Sequence, residues 1–345
     1  MPSDYDAIIV GASFAGLAVA RRLRGRILLL DRHEVGAVQT SACGTPLWVP
    51  RALGVEESVL QVHEKVVVHA PTSTVVFDVS DEPYCTLDYR KFCRGLQAQS
   101  DGHVVRTAVH GLKGNVVDTD AGRFAAPCIV DCSGWRGVLM RRPEAHPDGP
   151  VSFGLETEAA YPGEALYFWA APGPRRDVIS WIFPVGGASR VGVGSYAGES
   201  KLKTPLTSFM EDLGLSPTSF HGTYFSSGLR DPTVDTVFAV GDAAGQCLPL
   251  TAEGIRPALY FGDHCGRLVQ AVIDGHLTLR AALAEYRRRV LRYRHAYRAL
   301  GWAQRVVLRV PRSWLGPMAE LANRPMIRSR WWPRYARFGK LDLAK

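Results

Sequence analysis

Paired cysteines, long apolar runs and, toward one end, acidic residues are what this sequence lacks. Its seven cysteines (Cys43, Cys85, Cys93, Cys128, Cys132, Cys247 and Cys265) form no CxxC and no finger-type spacing with histidine. An odd set without those spacings argues against a zinc-finger framework and reads as reduced thiols in a cytoplasmic protein, with no metal site expected. No clean apolar run reaches the ~18 residues that a spanning helix needs. The strand-like DYDAIIVGAS begins almost at Met1, which leaves no room for a charged segment and apolar core ahead of it, so no secretory signal is expected. Acidic residues thin out at the C-terminal end. From Arg280 to Lys345, 17 Lys and Arg face only Glu285, Glu320 and Asp342, giving +14, whereas the rest of the chain carries −6 of the total +8. The basicity is therefore local. What remains is 345 residues of ordinary globular composition, enough to bury one large core or two modest ones.

The first 34 residues carry the clearest local signal. YDAIIVGASFAGLAVARRLRGRILLLDRHE reads as an apolar strand to Val10, a glycine turn, helix-favouring residues 14–24, and a second strand Ile27 to Leu30 ending at Asp31. The turn is Gly11-x-Ser13-x-x-Gly16. Gly11 permits the tight turn, Gly16 lets the helix pack close to the strand, and Ser13 stands where the middle glycine of a GxGxxG would be. Backbone N–H groups and the positive helix end would then face a pyrophosphate, at ~0.3 to 1 kcal/mol from the dipole alone. Asp31, about twenty residues after Gly11, is placed to accept from ribose hydroxyls. Strand, turn, helix and terminal acid in register point to dinucleotide binding.

A second stretch, AVGDAAGQCLPLTAEGIRPALYFG at 239–262, ends an apolar strand on Asp242. Pro249, Gly254 and Ile255 then lead into a further helix. An acid at a strand's carboxyl end, beside a helix start, can hold ribityl hydroxyls, and it can equally be an N-cap on an ordinary turn. With GxSxxG early and VGDAAG…PLTAEGI late, the chain resembles the FAD-binding flavoproteins that include aromatic hydroxylases and geranylgeranyl reductases. SACGTPLWV, VVVHAPTSTVVF and ISWIFPVGGASRVGVGSY are similar in order and spacing to the geranylgeranyl reductase branch. DCSGWRGVLMR resembles the segment that packs near FAD throughout the wider group, halogenases included.

The resemblance implies an α/β fold: a Rossmann-like FAD-binding domain with an antiparallel-sheet substrate domain, of the two-dinucleotide-binding flavoprotein type. The expected division is 1–60, 85–150 and 230–285 for FAD, 61–84 and 151–229 for substrate, and 286–345 for a basic, Trp-rich helical region. It implies FAD as cofactor, contacted by the residues named above together with Arg32 and Arg90. Arg90 is carried over because Tyr89 stands where the family has arginine after aspartate. It further implies hydride transfer from reduced flavin to carbon–carbon double bonds of a hydrophobic isoprenoid lipid. Trp181 and Phe183, on one face of a strand whose other face carries Ile182, would form the apolar roof, with Trp169 as a further wall and Cys43 near the flavin. Cys43 can equally be a small buried hydrophobe, and the aromatic strand a sandwich core. A monooxygenase or halogenase acting on an aromatic or other hydrophobic small molecule is the alternative, although Ile179 replaces the first Trp of the halogenase WxWxIP pattern.

No second glycine-rich βαβ unit is present, so electrons must come from docked NAD(P)H, a ferredoxin-like protein or another donor. At the basic end, Tyr286, Val290, Tyr293, Tyr297 and Leu300 follow helical spacing among arginines. GWAQRVVLRVPRSWLG and RSRWWPRYARF mix Trp with Arg as segments at a membrane surface do. The expectation is peripheral attachment to the inner face of the membrane or packing on the FAD domain. Nucleic acid is not expected, because no recognised motif accompanies the charge.

Overall fold

The computed structural model describes residues 4–39, 41–140, 151–171, 173, 175 and 177–339. Residues 141–150 and 340–345, which the division above includes, lie outside the described residues, as does Arg141 of the DCSGWRGVLMR segment.

Two sheets face each other across the site. The first has the order Thr233–Val234, Val237–Ala239, Cys128–Asp131, Ala7–Val10, Ile27–Asp31, His103–Arg106. All its neighbours pair in parallel except the short edge pair Thr233–Val234 with Val237–Ala239. Its strands are apolar on both faces because both are covered, as parallel strands require. Ile9, Leu29, Val130 and Phe238 face helices Phe14–Ala20 and Ile255–Ile273. Ile8, Leu28, Ile129 and Val237 face a three-stranded sheet of Val109–Lys113, Val116–Thr119 and Gly122–Ala125, through Leu112, Val117 and Phe124.

The second sheet has seven strands in the order His221–Ser226, Val151–Ala159, Ser189–Ser195, Val178–Pro184, Leu166–Ala170, Lys65–Ala70, Ser73–Asp78. Strict alternation sorts its residues. Val178, Ile182, Val191 and Val193 pack under helix Lys203–Glu211 through Leu206, Phe209 and Met210, while Trp181 and Phe183 point the other way, toward the first sheet.

Four expectations need correction. The substrate sheet is not purely antiparallel, since Leu166–Ala170 pairs in parallel with Lys65–Ala70. Segment 61–84 is divided, because Val59–His63 joins Gly44–Pro46 and Tyr84–Leu87 in a small sheet of its own. The boundary at 286 cuts helix Leu279–Leu291, whose Tyr286 is fully buried and donates to the Ala239 carbonyl at 2.9 Å. The single helix expected from Tyr286 to Leu300 is two, because the chain turns at Arg292–Tyr293 before helix Arg294–Arg309. Part of the apolar face of the basic region is therefore core: Tyr297 is also buried and donates to the Gln246 carbonyl at 2.5 Å.

Candidate active site

Between the two sheets runs one cavity of about 1330 Å³. It starts at the glycine turn after Val10 and continues under the aromatic face of the seven-stranded sheet. It is closed on its far side by helices Arg294–Arg309, Leu315–Asn323 and Pro325–Ala336, through residues such as Val306, Val307, Met318 and Trp331.

At the turn end, Gly11 has φ +102, and a Cβ there would lie 2.2 Å from the carbonyl oxygen of Cys132. The turn and the Cys132–Ser133–Gly134 segment thus approach each other as only glycine allows. The first turn of helix Phe14–Ala20 has no side-chain cap. Asp31 closes this end: its carboxylate accepts from the backbone N–H of Ala12 and of His33, both at 2.8 Å. Tyr89, found where the family has arginine, donates its hydroxyl to Ser13 Oγ at 3.0 Å and lines the cavity. Asp242 lies at the end of strand Val237–Ala239, in the turn Gly241–Ala244, and burial lifts its carboxyl to about 7. It faces Gly254 and Ile255, the uncapped start of helix Ile255–Ile273.

Backbone strain gathers here. Of five non-glycine residues with positive φ among the described residues, four line the cavity: Cys43, Ala171, Leu250 and Ala252. Such conformations cost of order 1 kcal/mol or more and persist where the surroundings hold them. Leu250 is held by Gln304, which accepts its N–H at 2.8 Å, and by Tyr196, which donates to its carbonyl at 2.5 Å.

The motifs that lie apart in sequence touch in space. Trp181 lies across Gly192, where a Cβ would be 2.2 Å from the indole ring, and this contact is the physical content of the VGVG segment. Phe183 packs edge-on against Phe168, with ring centroids 5.3 Å apart, and occupies the space over Gly44 of the SACGTP loop. Cys43 is fully buried beside it. Burial pushes its thiol to about 12, and the Sγ–H points at the Ser41 carbonyl, 3.2 Å away, so it is a neutral group and not a thiolate at physiological pH.

Ten of the thirteen residues singled out line this one cavity: Gly11, Ser13, Asp31, Arg32, Cys43, Trp181, Phe183, Asp242, Gly254 and Ile255. Three do not. Gly16 packs its helix against the Gly11 carbonyl, Arg90 is exposed beside Gly36, and Pro249 lies near Gly301. Trp169 is no wall of the cavity either. It lies on the opposite face, stacked on His69 and against Phe209. Sequence reasoning missed the closing helices and their anchor. Arg256, fully buried, forms a bidentate pair with Glu253 at 2.7 Å and donates to the carbonyls of Tyr335 and Ala336 at 3.0 Å, capping the last turn of helix Pro325–Ala336. It also missed Glu156 and His221, which strand register alone brings beside Trp181.

No protein-family model matches the chain. It is 26% identical over 341 residues to digeranylgeranylglycerophospholipid reductase 1 of Methanothermobacter thermautotrophicus, covering 84% of this chain and 82% of the relative. In fold it is similar to a geranylgeranyl bacteriochlorophyll reductase-like protein from Thermoplasma acidophilum, with a TM-score of 0.82 and 17% identity, over 92% of this chain and 91% of the other. A flavin-dependent brominase, Bmp2, shares the fold at a TM-score of 0.73 and 15% identity, over 94% and 92% of the two chains.

Proposed function

We propose that this chain, similar over most of its length to a digeranylgeranylglycerophospholipid reductase, is an FAD-dependent oxidoreductase that saturates carbon–carbon double bonds of an isoprenoid lipid or quinone side chain. The observation that carries the reading is the continuity of the cavity, which joins a turn built for close backbone approach to a long apolar space. The residues present fit FAD. The room beside Gly11 suits a pyrophosphate, Asp31 a ribose, and Asp242 with the start of helix Ile255–Ile273 the ribityl chain and ring. Bound there, FAD supplies hydride to the alkene.

The chain's own part is alignment and dryness. An isolated alkene offers no carbonyl to grip, so the enzyme must fix it by shape. Trp181, Phe183 and Phe168 form one wall, the helices after Gly301 the other, and together they keep water from the reacting carbons. Electrons come from NAD(P)H or a ferredoxin-like protein that docks transiently. Anaerobic turnover of a prenyl lipid by the chemically reduced enzyme tests this reading, and turnover that requires oxygen would favour the monooxygenase or halogenase alternative.

The substrate would be met at a membrane surface. No described helix is long and apolar enough to cross a membrane. Trp302, which also lines the cavity, is 63% exposed, Trp314 62% and Met326 75%, and arginines surround all three in sequence. Each basic residue near an anionic surface contributes ~1 kcal/mol. The protein should therefore sediment with anionic vesicles, less so as salt rises, and the triple variant W302S/W314S/M326S should bind at least tenfold more weakly. Equal binding by that variant would remove this face as the attachment surface. Point changes suit the test because truncation at Gly301 would also strip the cavity wall.

A further inference from the structure

Saturating a double bond takes a proton as well as a hydride, and strand register places one acid–base pair on the sheet wall of the cavity. His221, Glu156, Gly192 and Trp181 lie side by side across four adjacent strands. Paired residues share a face, and the three with side chains line the cavity. Because Gly192 has none, the Trp181 indole crosses it and Nε1 donates to Glu156 Oε2 at 2.9 Å. The other oxygen, Oε1, lies 3.1 Å from His221 Nε2 and accepts from Gln39 Nε2 at 3.5 Å. Glu156 is 4% exposed. A carboxylate so buried is kept only where donors compensate its lost hydration, and here an indole, an amide and an imidazole do so. Among the described residues that this sheet contributes to the cavity, Glu156 is the carboxylate and His221 the imidazole.

We propose that His221 donates the proton that completes reduction of the alkene, with Glu156 as the residue that positions and charges its ring. This rests on the reductase reading above. In the step, the alkene receives a hydride from reduced flavin at one carbon and the His221 proton at the other. The π bond breaks, two C–H bonds form, both electrons come from the flavin, and the neutral imidazole regains its proton from solvent. Because Nε2 is held by Glu156, the proton transferred in this step is the one on Nδ1.

The electrostatics agree. The hydrogen bond that the His221 ring donates to Glu156 raises the His221 pKa above its ordinary value, against desolvation, and the Glu156 charge adds to it; buried Arg190 opposes the rise and Glu158 supports it. Raising this pKa keeps the donor form present to higher pH, so reduction should fall as pH rises through it. Removing the carboxylate charge should move that fall to lower pH.

The test uses the full chain loaded with FAD. His221→Gln should retain its flavin spectrum and lose about a hundredfold or more in single-turnover reduction, the usual contribution of a general acid. Glu156→Gln preserves shape, and NMR titration of the His221 ring should show its midpoint falling relative to wild type, with the pH profile of reduction shifting in step. A His221 midpoint unmoved in Glu156→Gln, or wild-type turnover by His221→Gln, would overturn the proposal while leaving the reductase reading in place. A wild-type enzyme that reduces no prenyl lipid would overturn both.

Discussion

Replacing Gly11 by alanine should yield a folded protein that purifies colourless and gains no flavin spectrum when FAD is added. Two costs combine at this position. The φ of +102 lies where an L side chain is disfavoured, by roughly 1 to 2 kcal/mol. The new Cβ would also meet the Cys132 carbonyl oxygen at 2.2 Å and its carbon at 2.7 Å. Neither partner can retreat cheaply, because Gly11 N donates to the Leu30 carbonyl and Cys132 N to the Val10 carbonyl, each at 2.7 Å. The strain is thus relieved by moving the turn toward the cavity, into the space a pyrophosphate would take. Circular dichroism and thermal unfolding report whether the fold survives, and a fluorescence titration with FAD reports the affinity. Alanine at 11 with wild-type flavin content would show that this turn does not face the cofactor.

Trp181→Ala should do the opposite: keep its flavin and lose turnover by about a hundredfold. The indole is fixed on three sides, by Gly192 beneath it, by Gly154, where a Cβ would lie 3.5 Å from the ring, and by the hydrogen bond to Glu156. None of these contacts involves the turn at Gly11 or Asp242, so cofactor binding should be untouched. What is lost is a wall, and a substrate free to shift by ~1 Å forfeits about two orders of magnitude in rate. Gly192→Val should reproduce the loss by expelling the indole from its seat. Flavin content and single-turnover rate, measured on the same sample, separate the two effects. A Trp181→Ala enzyme with the wild-type rate would keep the cavity and discard this assignment of its wall.

Legibility in the sequence followed the range of the physics. The turn at Gly11, the acid at Asp31 and the Asp242 segment are each set by neighbours within about thirty positions, and all three reach the cavity. The hairpin of Lys65–Ala70 and Ser73–Asp78, and the opposite facing of Trp181 and Ile182, follow from period-two alternation. Glu156 and His221 carry no such signal. Nothing in FGLETEA or FHGTYF says that the two strands pair, or in which register, and the acid becomes meaningful only beside a glycine two strands from its own histidine. Trp169 was misplaced for a related reason: its own strand alternates correctly, but which face meets the cavity depends on what packs below. The Trp–Arg pattern after Gly301 is ambiguous in principle, because an amphipathic helix at a lipid surface and one that closes a cavity share a periodicity. Here the inner positions close the cavity and Trp302 reaches its mouth. Arg90 does not line the cavity, because Tyr89, one residue earlier at the start of helix Tyr89–Gln97, takes the inward-facing place.

Under the proposed function, an isoprenoid alkene is reduced directly in the cavity between the two sheets. The most direct measurement is a single turnover under strict exclusion of oxygen, with chemically reduced enzyme and a geranylgeranyl lipid, read by mass spectrometry together with flavin reoxidation. The product should gain two hydrogens for each flavin reoxidised. Product that forms only when oxygen is admitted, carrying a hydroxyl or halogen on an aromatic acceptor, would contradict it.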